Sequence, residues 1–597
     1  MIKYKQFTRF MRGNIRYYVL GLALIFILQY FRTITPLFIQ HIIDVTFGNE
    51  PSNLPGFIAR LLVAPTIERE LILIAVVSVG FTLVRMLIIF TRRVIHAHFV
   101  EATAYRMRNK LFSHLQNLSY DYHQHSETGD LIQRVTTDVE TYTTFIGEQL
   151  VEVVRMASLM AFALFQMYQM NPLMTLVSSF IAPVIFGLSF VYFKQVKTVF
   201  KDVEEAEGTM TTTVQESMTG VRVVKAFNNE IHEVNKFQTK SESFRDKTFH
   251  LIHLMAWFWG GTDFLIFGQY ALTASIGIVQ VLNGNLQTGQ FIAFLSLLGL
   301  IVWPIRQLGR IIADFGKTSV ALDRIEDILS QVSEHVGDSE NTPDIKGHIV
   351  FKDVSFQFSD DTKHLLEGIN LEIKPGERVA LIGRTGSGKS TLLKLLLRLY
   401  PIDSGTITID GIPIESINKK HLRRQVGMVL QEPFLYSRSV YDNIAIMNRK
   451  LPKGRILDAA NTASVHTDIQ QFEKGYDTVV GERGVTLSGG QKQRLAIARM
   501  LLGEKPVLMF DDSLSAVDTE TDRKIREALE TTFKDSTVLM ITHRITTALE
   551  ADRIFVLDGG KIVQQGTHDS LIKEAGMYQR LWAIQSNLQE TTVKGGI

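Results

Sequence analysis

Residues 383–390 read Gly383-Arg384-Thr385-Gly386-Ser387-Gly388-Lys389-Ser390, the pattern G-x-x-x-x-G-K-S. A strand-like run, Arg378-Val379-Ala380-Leu381-Ile382, precedes it, and a leucine-rich helical run opening at Thr391 follows. Strand, glycine-rich loop and helix in that order form the context a phosphate-cradling P-loop requires. The glycines let successive backbone N–H groups curl around phosphate oxygens, and the helix N-terminus adds a favourable dipole. Lys389 is expected to reach the β- and γ-phosphates and Ser390 to hold Mg²⁺. The stretch therefore predicts an α/β domain that takes ATP and Mg²⁺, with residues 383–391 around the phosphates.

Downstream, Val507-Leu508-Met509-Phe510-Asp511 is a buried-strand pattern ending in a carboxylate. Such a strand delivers one acid beside the P-loop to bind Mg²⁺, directly or through water. Asp512 follows, placed to orient or polarise an attacking water. Leu487-Ser488-Gly489-Gly490-Gln491 opens another helix. A hydroxyl, two small residues and a helix N-terminus make a second anion-binding surface. One P-loop does not need two. The economical reading is that this one faces the γ-phosphate of a nucleotide held by another subunit. Upstream, Phe358 closes a strand-like segment; an aromatic there can stack on adenine, although read alone it is a core residue.

The first half of the chain is different in kind. Six apolar stretches, at 17–43, 71–91, 151–168, 173–193, 254–281 and 291–312, are near the ~20 residues needed to cross a bilayer. Asn171-Pro172 and Asn283–Leu286 make short turns, while long polar, helical segments join the second span to the third and the fourth to the fifth. Arg92, Arg93, Arg106, Arg108 and Lys110 flank one long segment, and Lys194, Lys197 and Lys201 the other. The positive-inside rule puts both in the cytoplasm, and an even number of spans leaves both termini there, where ATP is. Breaks are expected around Leu118–His123 and Thr213–Gly220. Arg32, Arg85 and Asp263 sit inside apolar spans, as lining of a pathway or as intra-bundle pairs. Trp257, Trp259 and Trp303 read first as interface anchors or packing, and Pro304 as a kink. The basic, aromatic residues 1–13 fit an interfacial helix or a plain flank of the first span. The expected domains are 1–320 in the membrane, a linker at 321–347 and the ATP-binding domain at 348–597.

Composition limits the alternatives. The 597 residues carry a net charge of +2, so no polyanion-binding tail is implied. The mean hydropathy of +0.10 is high, and the excess lies in the first half. There is no cysteine, which excludes disulfides, zinc–thiolate sites and a catalytic thiol. The apolar spans argue against a soluble ATPase acting on nucleic acid.

Together these motifs make the chain resemble a half-transporter of the ATP-binding cassette (ABC) exporter family, multidrug type, over essentially its whole length. Leu487–Gln491 matches the family signature. The resemblance implies that Gln431 is the Q-loop glutamine, contacting Mg²⁺ and sensing the γ-phosphate, and that His543 is the switch histidine. It makes Ser515-Ala516-Val517-Asp518 the D-loop at the dimer interface and Phe358 the adenine-stacking aromatic. It also makes 478–484 the segment that touches the coupling loops, which lie at Gly129–Ile132 and Gly220–Phe227. A second half-transporter, a hydrophobic or amphipathic cargo and the lipid bilayer are the implied partners.

One residue departs from the family. After Asp511 the family usually has Glu as catalytic base; here Asp512 is one methylene shorter, so its carboxylate falls about 1–1.5 Å short. Misplacement on that scale costs about 10²-fold in rate. Family members that combine this Asp with an intact signature resemble the degenerate-site half of a heterodimer. The expectation is an exporter half with an impaired site of its own, whose signature completes the partner's site. A homodimeric exporter and a lipid or lipid-linked-molecule flippase are the alternatives.

Overall fold

The computed structural model describes residues 9–594 apart from 49, 359, 361, 362, 482, 483, 485, 504, 515 and 516; the side chains of 302–310, 312, 313, 519 and 587–594 are also outside the description. The side chains of Trp303 and Pro304, most of residues 1–13, and part of the D-loop and of 478–484 thus lie outside the description. The chain forms two compact units, one made of Met1–Gln116 and Ser126–Gln331, the other of Asn117–His125 and Val332–Ile597.

The first unit is all helical. Its principal helices are α1 (Ile15–Gln40), α2 (Ile67–Leu115), α3 (Leu150–Met170), α4 (Ile181–Thr219), α5 (Glu230–Leu282) and α6 (Thr288–Ser330). Among the described residues, five helical stretches are long and apolar enough to span a membrane, and Thr288–Ile301 adds an apolar start to α6. The most apolar window of α2 is only 6% buried. An apolar helix with so little packed surface is stable only where its surroundings are as apolar as itself, which is the lipid of a bilayer. Apolar side chains of several spans, among them Ile34, Met167, Met174 and Leu297, pack into one core.

The turns follow their local chemistry. Asn171 caps the short helix Pro172–Ser179, its Oδ1 accepting from Met174 N–H at 2.9 Å, with Pro172 at the first helical position. At the same end of the bundle, the buried Asp44 carboxylate accepts from Gly289 N–H at 2.6 Å. A Cβ at 289 would lie 2.7 Å from that carboxylate, so only glycine fits this approach of α6 to the end of α1. The second cytoplasmic break is sharper than its expected span. α4 continues through Thr213, which is buried and bonds back to the Thr209 carbonyl, and turns only at Gly220 into the short helix Val221–Ala226. The first break is the helix Tyr120–His125. α6 extends to Ser330, so the first ten residues of 321–347 are helical.

Among the described residues the second unit carries ten strands. β1 (Ile349–Phe356), β2 (Leu366–Ile373), β4 (Ser404–Ile409) and β5 (Ile412–Pro413) form an antiparallel sheet in the order β2-β1-β4-β5. The larger sheet takes the order β10-β9-β3-β8-β7-β6, from β3 (Arg378–Gly383), β6 (Val426–Val429), β7 (Val507–Asp511), β8 (Thr537–Ile541), β9 (Arg553–Asp558) and β10 (Lys561–Gly566). It is parallel except at the β10 edge. The residues of β7 and β8 are buried throughout, as expected of strands covered on both faces. Alternate residues enter different cores. Val507, Met509, Leu539 and Ile541 join one cluster, while Leu508, Phe510, Val538 and Met540 join the other. The two clusters therefore lie on opposite faces of the sheet.

Candidate nucleotide-binding site

β3 runs through the sheet centre between β8 and β9 and delivers the P-loop at its C-terminal end. Helix α7 (Lys389–Leu396) starts at once, with Gly388 before it at φ 98° and Gly386 at φ 81°. These are left-handed conformations that a Cβ would strain, and they turn the loop back over the helix end. Arg384, Thr385 and Gly386 are exposed, whereas Gly383, Ser387, Gly388, Lys389 and Thr391 are buried and Ser390 is half-buried. The Lys389 ammonium donates to the Gly383 and Arg384 carbonyls at 2.9 Å each, so the loop is wrapped around its lysine. Burial lowers the Lys389 pKa, and the nearby Asp512 and Asp511 oppose the shift. Ser387 Oγ is buried and has no hydrogen-bond partner among the described residues.

β7, next to β8, brings Asp511 to this loop. Its Oδ1 accepts from the Ser390 hydroxyl at 2.8 Å. Burial raises its pKa above the usual carboxylate range, and the Ser390 hydrogen bond works against that. Asp512 follows in a left-handed conformation, φ 45°, with its N–H on the Ile541 carbonyl at 3.0 Å. Asp tolerates this backbone better than most L residues.

The orphaned Ser387 hydroxyl, the upturned glycine loop and the buried ammonium fit a polyphosphate, which would supply the missing acceptor. A hydroxyl in contact with a single carboxylate fits Mg²⁺, which is held by one or two protein oxygens together with phosphates and water. Among the described residues no cluster of three or more His, Cys, Asp or Glu offers a competing metal cage.

Ser488 caps helix α8 (Gly489–Leu501) through a reciprocal box. Its Oγ accepts from Gln491 N–H at 3.3 Å, and its own N–H donates to Gln491 Oε1 at 3.1 Å. Ser488 and Gly489 are exposed, and Gly490 and Gln491 are half-buried. The leucines of α7 pack in the first cluster, with Met509 and Ile541; Leu495 and Ile497 of α8 pack in the second, with Leu508 and Phe510. P-loop helix and signature helix thus cover opposite faces of one sheet. The structure brings Lys389, Ser390, Asp511 and Asp512 together and sets Ser488–Gln491 apart from them.

The remaining residues sit at strand ends or on caps. Gln431 is exposed just beyond β6, and its carbonyl accepts from Gln493 of α8 at 3.4 Å. His543 is exposed just beyond β8, its carbonyl held by Gln585 at 2.7 Å. Asp518 caps helix α9 (Thr519–Thr532), accepting from Thr521 N–H at 2.9 Å, and this bond holds its pKa below the usual carboxylate range. Phe358 is half-buried, edge-on to Phe356 and Tyr400.

Gln493, Gln585 and Tyr400 were not legible as site residues. Each acts through a tertiary contact, and nothing in the spacing marks it. Tyr400 also meets Tyr120 of the short helix Tyr120–His125 edge-on at 5.4 Å, and Lys394 of α7 lies over the Tyr120 ring. This cytoplasmic helix therefore packs with the aromatic that touches Phe358 and with the P-loop helix.

Fold and site define a membrane-spanning helical unit fused to a P-loop ATP-binding unit. Comparison with known proteins agrees along the whole chain. The ABC transporter transmembrane region matches residues 18–305 and the ABC transporter domain residues 366–515. An uncharacterized ABC transporter ATP-binding protein of Bacillus subtilis (strain 168), YknU, is 33% identical over 525 residues, 87% of this chain and 89% of that one. The ATP-dependent lipid A-core flippase of Hahella chejuensis (strain KCTC 2396) is 33% identical over 534 residues, 89% of this chain and 90% of that one. A bacterial Atm1-family ABC exporter solved with ATP bound superposes with a TM-score of 0.79 over 96% of this chain and 98% of that one, at 22% identity. The chain belongs to the ABC transporter family and is an exporter half-transporter, a multi-pass membrane protein with a cytoplasmic ATP-binding domain.

Proposed function

We propose that the chain is one half of a heterodimeric exporter that moves hydrophobic or amphipathic small molecules across the cell membrane, with a hydrolytically slow site of its own. In this reading residues 383–391 hold the phosphates, Phe358 stacks on adenine, and Ser390, Asp511 and Gln431 hold Mg²⁺. The metal, when bound, neutralises charge on the transferring phosphoryl oxygens. Asp512 and His543 face the attacking water. Ser488–Gln491 closes over the nucleotide of the other subunit, with Asp518 at the interface. Closure of the two ATP-binding domains stabilises the outward-facing state, and hydrolysis with release resets it. Functionally, residues 1–320 form the membrane domain, 321–347 the linker and 348–597 the ATP-binding domain.

The observation that carries the pairing is a fully formed Ser488 cap in the same domain as a short Asp512 carboxylate. That domain is equipped to complete another site better than its own. Purified alone, the full-length chain is expected to hydrolyse ATP about 10²-fold more slowly than when assembled with a half-transporter bearing Glu at the corresponding position. Normal exporter turnover by the chain alone would favour a homodimer. The likeness to a lipid A-core flippase supports a second reading, in which lipids are the cargo. Stimulation of the ATPase by lipids rather than by drugs would select it.

A further inference from the structure

Beyond the end of β8 at Ile541 the chain passes through His543 and enters the short helix Ile545–Ala548. His543 is exposed, and among the described residues its ring makes no hydrogen bond or ion pair. The direction of the ring is therefore set by the backbone that carries it. Within the loop, Arg544 N–H donates to the Thr542 hydroxyl at 3.0 Å. The His543 carbonyl and the Ile545 N–H, on either side of Arg544, find no partner there. The Ile545 N–H is one of the orphan donors of a helix start, and Arg544 at the cap position supplies no side-chain acceptor. Its guanidinium donates instead to the Val517 carbonyl at 3.3 Å.

One side chain takes both loose groups. Gln585 Nε2 donates to the His543 carbonyl at 2.7 Å, and Gln585 Oε1 accepts from Ile545 N–H at 2.9 Å. A primary amide carries donor and acceptor in one plane, so both bonds form in a single amide orientation. Gln585 is itself fixed. It is half-buried and lies on helix α10 (Met577–Lys594). Tyr578, Leu581, Trp582 and Gln585 recur at i, i+3, i+4 and i+7 and share one face. Tyr578 is fully buried in one core cluster with Ile545 and Ala548, and Leu581 and Trp582 pack against that cluster. The Tyr578 hydroxyl meets His568 Nδ1 at 2.7 Å, and Tyr578 N–H donates to Gln564 Oε1 at 3.1 Å. A side chain locked by its own packing holds its target more closely than a loop can hold itself. A cap that served only the short helix would need the acceptor alone. The bond to the His543 carbonyl adds nothing to that helix and restrains the histidine.

We propose that Gln585 is the positioning residue of the switch histidine: its amide fixes the backbone on both sides of Arg544 and so aims the His543 ring at the nucleotide. The proposal rests on the role given to His543 above and adds helix α10 as the support of that role.

The test is release of radiolabelled phosphate from ATP by the full-length chain in nanodiscs that hold two copies, a readout that resolves slow turnover. Gln585→Leu removes both bonds. Gln585→Glu keeps an acceptor for Ile545 N–H but sets a carboxylate oxygen against the His543 carbonyl. Both variants are expected to lower kcat about tenfold, part of the about 10²-fold that a misplacement near 1 Å costs. KM for ATP and the affinity for a fluorescent nucleotide should stay within about twofold, because the P-loop lies on β3 and keeps its own bonds. His543→Ala should lower kcat at least as far, and the His543→Ala/Gln585→Leu double variant should be no slower than His543→Ala alone, since Gln585 acts through that ring. Wild-type kcat in Gln585→Glu would reduce Gln585 to a helix cap and overturn the proposal. So would losses that multiply in the double variant, or nucleotide affinity that falls in step with turnover. Unchanged turnover in His543→Ala would remove the role of the histidine itself, and the proposal with it.

Discussion

Replacing Asp512 with Glu isolates one methylene. The backbone there is fixed by a φ of 45° and by the N–H bond to Ile541, so side-chain length alone decides how far the carboxylate reaches. Glu adds about 1–1.5 Å. A misplacement of that size is worth about 10²-fold in rate, or about 2.7 kcal/mol of barrier. Against this, a left-handed backbone disfavours L residues by about 1–2 kcal/mol, and Asp escapes part of that penalty. The penalty falls on the loop's stability and not on the chemical step. The D512E protein should therefore turn over ATP up to about 100-fold faster and melt at or slightly below the wild-type temperature. The assay is phosphate release by full-length protein in nanodiscs that hold two copies, where the intact Ser488 surfaces complete both sites. A D512E protein that is dimeric and binds ATP, yet hydrolyses it at the wild-type rate, would refute the reasoning.

Lys389→Ala should weaken ATP binding about 10–100-fold, the weight of a buried charged hydrogen bond, as read by fluorescent-nucleotide titration with the circular dichroism spectrum unchanged. Ser488→Ala removes the cap of α8 and should destabilise the ATP-binding domain by about 1 kcal/mol; because α8 covers the opposite sheet face from α7, equilibrium binding of ATP to the chain's own P-loop should not move. Asp511 has its pKa raised by burial, so the folded domain binds its proton more tightly than the unfolded chain does. Without nucleotide, stability contributed at this position falls as pH rises from the unfolded carboxylate value through the raised one. Asp511→Asn should remove that pH dependence in denaturant titrations, leave the nucleotide-free domain at least as stable at neutral pH, and abolish the Mg²⁺ enhancement of ATP binding.

Local patterns in the sequence determined a great deal here. A run of some twenty apolar residues has few ways to satisfy its backbone in lipid other than as a helix, so the six spans and their short turns at Asn171 and Gly284 were legible. The P-loop was legible too, because a glycine-rich turn between a buried strand and a helix is a contiguous object. Gly386 and Gly388 hold left-handed conformations that the motif alone foretells. The exact break at Gly220 was not, since helical periodicity runs on through Thr213 and the helix ends only where the Gly220 backbone leaves the helical conformation.

Three-dimensional packing decided what lies beyond the reach of neighbouring residues. That α7 and α8 cover opposite faces of one sheet follows from which alternate residues of β7 and β8 enter which core, and strand order fixes this, not spacing. Tyr120 meets Tyr400 with almost half of the chain between them, and Tyr400 meets Phe358; no local rule pairs residues that only folding brings within reach.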